Sequence, residues 1–229
     1  MSLRLDWCSH AAAKYAVEKW HYSKTMPRSR VVQIGAWECG RFIGAVLFSH
    51  GANKNIGNPY GLQQIEICEL NRVALTKHET PTSRIVATAI RMLCKQSPGL
   101  RLLVSYADPE QGHIGGIYQA MNWVYVGKTQ GGTAQIAING HRIHKRTAFD
   151  RYGSASALIN GGTWVQPEEK HKYLYPLDKV MKAQIAPLAK PYPKRAASID
   201  SDASGVQSEE GSANLTATLH VDDDPITAE

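Results

Sequence analysis

The sequence predicts an α/β (α+β) domain with a mixed, mostly antiparallel central sheet flanked by helices, followed by an acidic tail. Three observations carry this reading. Strand-like apolar runs outnumber helical patterns; the links between them are short; and the composition breaks sharply near position 195.

The elements follow in order. Asp6 or Ser9 caps a first helix that runs to about Trp20, with Ala11 and Tyr15 setting its rhythm. Pro27 stops any continuation through the polar, basic HYSKTMPRSR segment. Residues 31–38 and 41–50 read as two strands joined by a tight turn at Cys39-Gly40. Residues 51–62, dense in Gly, Asn and Pro, form a loop. In 64–76, Ile65, Ile67, Leu70, Val73 and Leu75 mark the longest strand, with a bulge near Leu70. A helix over 83–96 places Ile85, Ala89, Met92 and Leu93 on one face and ends at Pro98-Gly99. The apolar run 102–106, a polar turn opened by Asp108-Pro109, a short helix over 114–121 and an aromatic strand over 123–126 complete the clear part. Beyond Lys128 the pattern weakens. Residues 135–138 are strand-like, and the basic clusters HRIHKR and KHKYLYPLDK read as a basic C-terminal arm starting near 140.

Charge separates the body from the tail. Residues 196–229 carry eight acidic side chains, no Lys or Arg and no aromatic residue, the composition of a disordered segment. The first 195 residues then hold 26 basic against 12 acidic side chains, a net charge of +14 rather than the +6 of the whole chain. Such a body favours a polyanionic partner, most simply nucleic acid. The domain is set at 1–180 and the linker and tail at 181–229. Cys8, Cys39, Cys68 and Cys94 form no CxxC pair, which suits a reducing compartment. No apolar stretch approaches the roughly 18 residues of a membrane span, and none at the start resembles a signal peptide, so a cytoplasmic protein is expected.

The richest chemistry lies around VSYADPEQGHIGGIYQAMNW, where the end of a strand brings Asp108, His113 and Tyr118 to one turn. Asp108 there either caps the turn or accepts a proton, and Tyr118 is either a core aromatic or a functional hydroxyl. The element order resembles that of GNAT acyltransferases, which makes acetyl-CoA a suspected cofactor. In that fold a glycine-rich loop before the helix cradles the cofactor's pyrophosphate, whereas LTKHETPTSR has no glycine. Ser83, Arg84 and the helix-start amides remain as an anion site. A tyrosine at the place of Tyr118 would, by the same likeness, protonate a leaving thiolate.

Five stretches resemble the Mom proteins of Mu-like phages: Trp20-His21-Tyr22-Ser23, Glu69-Leu70-Asn71-Arg72, Thr82-Ser83-Arg84, Tyr106-Ala107-Asp108 with Tyr118-Gln119-Ala120-Met121-Asn122-Trp123, and Lys172-Tyr173-Leu174-Tyr175-Pro176-Leu177. The resemblance implies a divergent GNAT fold. It implies a transferase that converts adenine in double-stranded DNA to N6-carbamoylmethyladenine, protecting phage DNA from restriction in the host cytoplasm. It places the important polar positions on His21, Tyr22, Arg72, Ser83, Asp108 and Tyr118. Asp108 would orient the amine or act as base, Arg72 would anchor an anion or Asp108, and Tyr22 would stack on a flipped base. Lys24, Arg28, Arg30, Arg142, Lys145, Arg146, Lys172 and Tyr173 are the DNA-contacting candidates. His21 and Asp108, with His113 and Glu69, could supply a two-histidine, one-carboxylate iron site. The rival expectations are a GNAT N-acetyltransferase acting on a protein or small amine, and a non-catalytic basic nucleic-acid-binding protein.

Overall fold

The computed structural model describes residues 2–51, 53–129, 135–138, 141–144, 162–166 and 168–194. Lys145, Arg146 and the acidic tail lie outside the described residues. The elements are β1 (Leu3–Trp7), α1 (His10–Trp20), β2 (Val31–Glu38), β3 (Arg41–Ser49), β4 (Ile67–Leu75), α2 (Thr82–Gln96), β5 (Leu102–Ala107), α3 (Gly116–Ala120), β6 (Val124–Lys128), β7 (Gln135–Ile138), β8 (His141–His144), β9 (Thr163–Val165), β10 (His171–Pro176) and α4 (Lys179–Ile185). Seven strands form one sheet in the order β1-β2-β3-β4-β5-β10-β6, and β8-β7-β9 form a small second sheet. Every neighbouring pair is antiparallel except β4 and β5. The mixed, mostly antiparallel α/β architecture is therefore present.

Local chemistry explains most element boundaries. Ser9, not Asp6, caps α1, its hydroxyl accepting the Ala12 N–H at 3.2 Å. Asp6 belongs instead to β1, a strand the sequence reading missed, which pairs along β2 from Leu3↔Glu38 to Trp7↔Ile34. Cys39 and Gly40 both take positive φ, as a two-residue hairpin turn with the right twist requires. In β3 the register shifts at Ile43-Gly44, so Phe42, Ala45 and Leu47 face α1 while Ile43, Val46 and Phe48 face α2. Gly44 sits against the Ala74 carbonyl at φ 138°, where any side chain would collide.

Helices cover both faces. Ala13, Ala16 and Val17 of α1 pack on Ala45, Leu47 and Ala74. On the opposite face Ile85, Val86, Ala89, Ile90 and Leu93 of α2 meet Ile34, Phe48, Leu70 and Leu103. The C-terminal part of the expected basic arm, residues 171–176, is instead β10, which lies inside the sheet between β5 and β6; residues 145–161 of that arm lie outside the described residues. Tyr173 and Leu174 are fully buried there. Packing also continues past 180, where the sequence reading began the linker: Met181 and Ile185 of α4 are fully buried against Leu102, Val104 and Leu174. Among the described residues no helix is long and apolar enough to cross a membrane.

A candidate active site where the parallel strands part

The one parallel pair among the described residues positions the site. β4 and β5 pair only from Ile67↔Leu102 to Glu69↔Val104, although β4 continues to Leu75 and β5 to Ala107. The separation follows from β4's bulge: Leu47 pairs with Arg72 and Phe48 with Leu70, leaving Asn71 as the extra residue. Between the parted ends opens a pocket of about 500 Å³. Asn71 and Val73 line it from β4, Tyr106 and Ala107 from β5, Trp20, His21 and Tyr22 from the end of α1, and His113 and Tyr118 from the turn into α3. This is where an α/β sheet handles ligands, beyond the carboxyl ends of its parallel strands.

His21 is buried, its Nδ1 lies 2.8 Å from the Ser23 hydroxyl oxygen and accepts the Ser23 backbone N–H at 3.1 Å, and with Nδ1 engaged as an acceptor the proton of the neutral ring is assigned to Nε2. Burial first, and then the charge of Arg72, lowers its pKa to about 4. The ring is therefore uncharged at neutral pH. Tyr22 is held between two imidazoles, its centroid 4.3 Å from that of His21 and 5.4 Å, edge-on, from that of His113, and is 42% exposed. Tyr118 lies deeper. Its hydroxyl is 2.7 Å from Ser105 Oγ, and burial pushes its pKa up to about 12. Gly115, at φ 82°, starts α3 with Tyr173 packed directly against its Cα.

Several expected roles change. Asp108 is not among the residues that line the pocket. Its Oδ1 accepts the Glu110 N–H at 3.1 Å, and its Oδ2 pairs with Lys170 Nζ at 2.9 Å. The carboxylate caps the turn after β5 and ties it to the residue before β10. Arg72 does not anchor Asp108 either: its Nη1 donates to the Asn71 carbonyl at 2.8 Å, while its charge acts on His21. The iron expectation fails on the donor set. His21 Nδ1 and both Asp108 oxygens are engaged within the protein, and among the described residues no group of three or more His, Cys, Asp or Glu could hold a metal ion.

The cofactor-phosphate expectation for Ser83 and Arg84 also meets an obstacle. Neither residue lines the pocket. The approach to α2 already contains an anion, because the buried Glu38 carboxylate accepts the Glu79 N–H at 2.9 Å, the Thr80 N–H at 2.8 Å and the Thr80 hydroxyl. The Glu79 and Thr80 amides are thus taken by the protein's own side chain, just ahead of the helix start at Thr82. The Thr80 hydroxyl, and then the two amides, lower the Glu38 pKa from 4.5 to about 2. A depressed carboxylate stabilises the fold above its unfolded value and loses that contribution as pH falls through the folded one. The difference in unfolding midpoint between wild type and Glu38→Gln, measured in urea, is thus expected to be full at pH 6 and to shrink between about pH 5 and pH 2. A difference independent of pH over that range would contradict the charged network.

Of the DNA candidates, Lys24, Arg28 and Arg30 are exposed on the loop that follows Tyr22. Lys24 Nζ also donates to the Lys19 carbonyl at 2.7 Å, closing the end of α1. Lys172 is half-buried with its Nζ 5.1 Å from the Tyr60 ring centroid. Tyr173 is withdrawn as a DNA contact: fully buried, it donates its hydroxyl proton to the Ile114 carbonyl and so holds the turn before α3. Arg142 lies in β8, and its side chain is outside the described residues. Sequence reasoning passed over Ser105, Tyr106 and Trp20 as site residues. Trp20 and Tyr106 carried a signal, each standing in a stretch that resembles the Mom proteins, whereas Ser105 stood out only as a serine within an apolar strand.

Fold and site together define an α/β protein with a ligand pocket between the parted ends of its parallel strands. The chain belongs to the Mom protein family, whose model matches residues 2–194. It is 22% identical over 204 residues to the methylcarbamoylase mom of Escherichia phage Mu, a match covering 84% of each protein. Among solved structures, aminoglycoside 6'-acetyltransferase type Ii aligns with a TM-score of 0.42 at 9% identity, over 76% of this chain and 97% of that one. An aminoglycoside acetyltransferase in complex with coenzyme A and kanamycin aligns with a TM-score of 0.42 at 13% identity, over 67% of this chain and 100% of that one.

Proposed function

We propose that the protein is a transferase that modifies the exocyclic amine of adenine in double-stranded DNA, adding a carbamoylmethyl group as the Mom relationship implies. The observation that carries this reading is the half-exposed Tyr22, held between His21 and His113 in the wall of the pocket. A base rotated out of the duplex needs a stacking surface and a cavity that excludes the helix. The volume of about 500 Å³ lies within the usual size range of small-molecule sites. Exposed Lys24, Arg28 and Arg30 next to Tyr22 would neutralise phosphates flanking the target, and the body's net charge of +14 supports the approach to DNA.

The reaction forms one N6–carbon bond, breaks the donor's bond to its leaving group, which departs with the electron pair, and releases one proton from N6. The chain's part is to stack the base, exclude water and hold the amine. His21, neutral and protonated on Nε2, offers a hydrogen bond to a ring nitrogen rather than acting as a base.

Nucleoside mass analysis of plasmid DNA from cells expressing the protein tests the proposal. Wild type yields N6-carbamoylmethyl-deoxyadenosine, and Tyr22→Ala lowers the yield by about 10–100-fold, the loss expected from one base–aromatic stack. Unmodified DNA beside acetylated protein or small amine would replace this reading with the acetyltransferase.

A further inference from the structure

Proton counting gives the Tyr118–Ser105–Leu70 chain a direction. Ser105, 1% exposed, places its Oγ 2.7 Å from the Leu70 carbonyl oxygen and 2.7 Å from Tyr118 Oη. A serine hydroxyl has one proton, and a carbonyl oxygen can only accept. Ser105 therefore donates to Leu70, and the Tyr118 hydroxyl donates to Ser105. The arrangement follows from the fold. Leu70 and Ser105 lie one residue beyond the last paired positions, Glu69 and Val104, so the serine side chain bonds this carbonyl where the strand ladder has ended. With its single proton directed at Ser105, Tyr118 has only oxygen lone pairs left to offer the pocket.

We propose that Ser105 fixes Tyr118 as a hydrogen-bond acceptor toward the pocket, so that the site selects a base presenting an amino N–H, as adenine does, over one presenting a keto oxygen. The inference rests on the adenine reading above and names how that base is recognised. His21 supplies the complementary half, because its Nε2–H is a donor on the same pocket. An acceptor and a donor together match adenine, whose N6 amine donates beside a ring nitrogen that accepts; guanine and thymine present the opposite polarity. Tyr118 keeps its proton at neutral pH because burial raises its pKa. This reverses the acyltransferase-like expectation for Tyr118, in which the hydroxyl would give its proton to a leaving group. Ser105 is thus a positioning residue, acting through Tyr118.

Fluorescence anisotropy with two duplex oligonucleotides reads the preference without turnover. Each holds one purine opposite an abasic site, adenine in one and the isosteric keto base hypoxanthine in the other. Wild type is expected to bind the adenine duplex about tenfold more tightly, the ratio that one well-placed hydrogen bond of the wrong polarity produces. Ser105→Thr keeps the ratio. Ser105→Ala, which frees the Tyr118 hydroxyl to donate to a keto oxygen, brings it near one by raising the affinity for the hypoxanthine duplex, which a loss of folding would not do; Tyr118→Phe, which removes the acceptor, also brings it near one. A ratio that survives Ser105→Ala, or a wild type that prefers hypoxanthine, overturns the proposal. An adenine preference without any adduct in cells supports this inference and removes the transferase reading. Adduct formation with no preference removes this inference alone.

Discussion

Gly115→Ala is expected to lower the unfolding free energy by about 3 kcal/mol, the sum of a left-handed backbone penalty of about 1–2 kcal/mol and an overpacking cost of about 1–3 kcal/mol. Gly115 takes φ 82°, and a Cβ there would overlap the Tyr173 ring. Neither side can yield easily. The Tyr173 ring is fully buried, with centroids 5.1 Å from Tyr118 and 5.2 Å from Tyr125, and its hydroxyl is bound to the Ile114 carbonyl. Because Gly115 begins the helix that carries Tyr118, DNA modification should fall together with stability. Urea unfolding checks the first part, and the coupling can be isolated: in a Tyr173→Leu background, Gly115→Ala should cost only the backbone share. A loss below about 1 kcal/mol in the wild-type background would show that the turn has room.

Tyr173→Ala should cost about 3–5 kcal/mol, as removing a fully buried aromatic ring from a packed core does. Tyr173→Phe separates the hydroxyl from the ring. The Ile114 carbonyl also accepts from Gln119 Nε2 at 3.0 Å, so it is not orphaned and the loss should stay near 1 kcal/mol. Denaturant melts of the two variants check this ladder. A Tyr173→Ala protein with native stability would return the residue to the surface and to the DNA-contacting set.

Much of the fold was legible because its signals are local. The hairpin at Cys39-Gly40, the bounds of β2 and the face of α2 each follow from a few consecutive residues. β1 was missed although Leu3, Leu5 and Trp7 alternate, because five residues broken by Arg4 and Asp6 make a weak pattern without a partner in view. The site was legible in part. His21, Tyr22 and Tyr118, all named from the motifs, line one pocket, whereas Asp108 is drawn aside by Lys170, 62 positions away. Glu38 offered no sequence signal at all, since its partners Glu79 and Thr80 are brought to it by the β2–β3–β4 register.

By itself the sequence determined the element types, the basic body with its acidic C-terminal segment, and the family, because periodicity, charge and short motifs are properties of neighbouring residues. The tertiary structure alone decided that a basic–aromatic segment becomes the buried β10 and that β4 and β5 part at Asn71. It alone set the direction of the Tyr118 proton. The reason is that each of these depends on pairing between segments far apart in the chain, and on counting the donors and acceptors that such pairing leaves over.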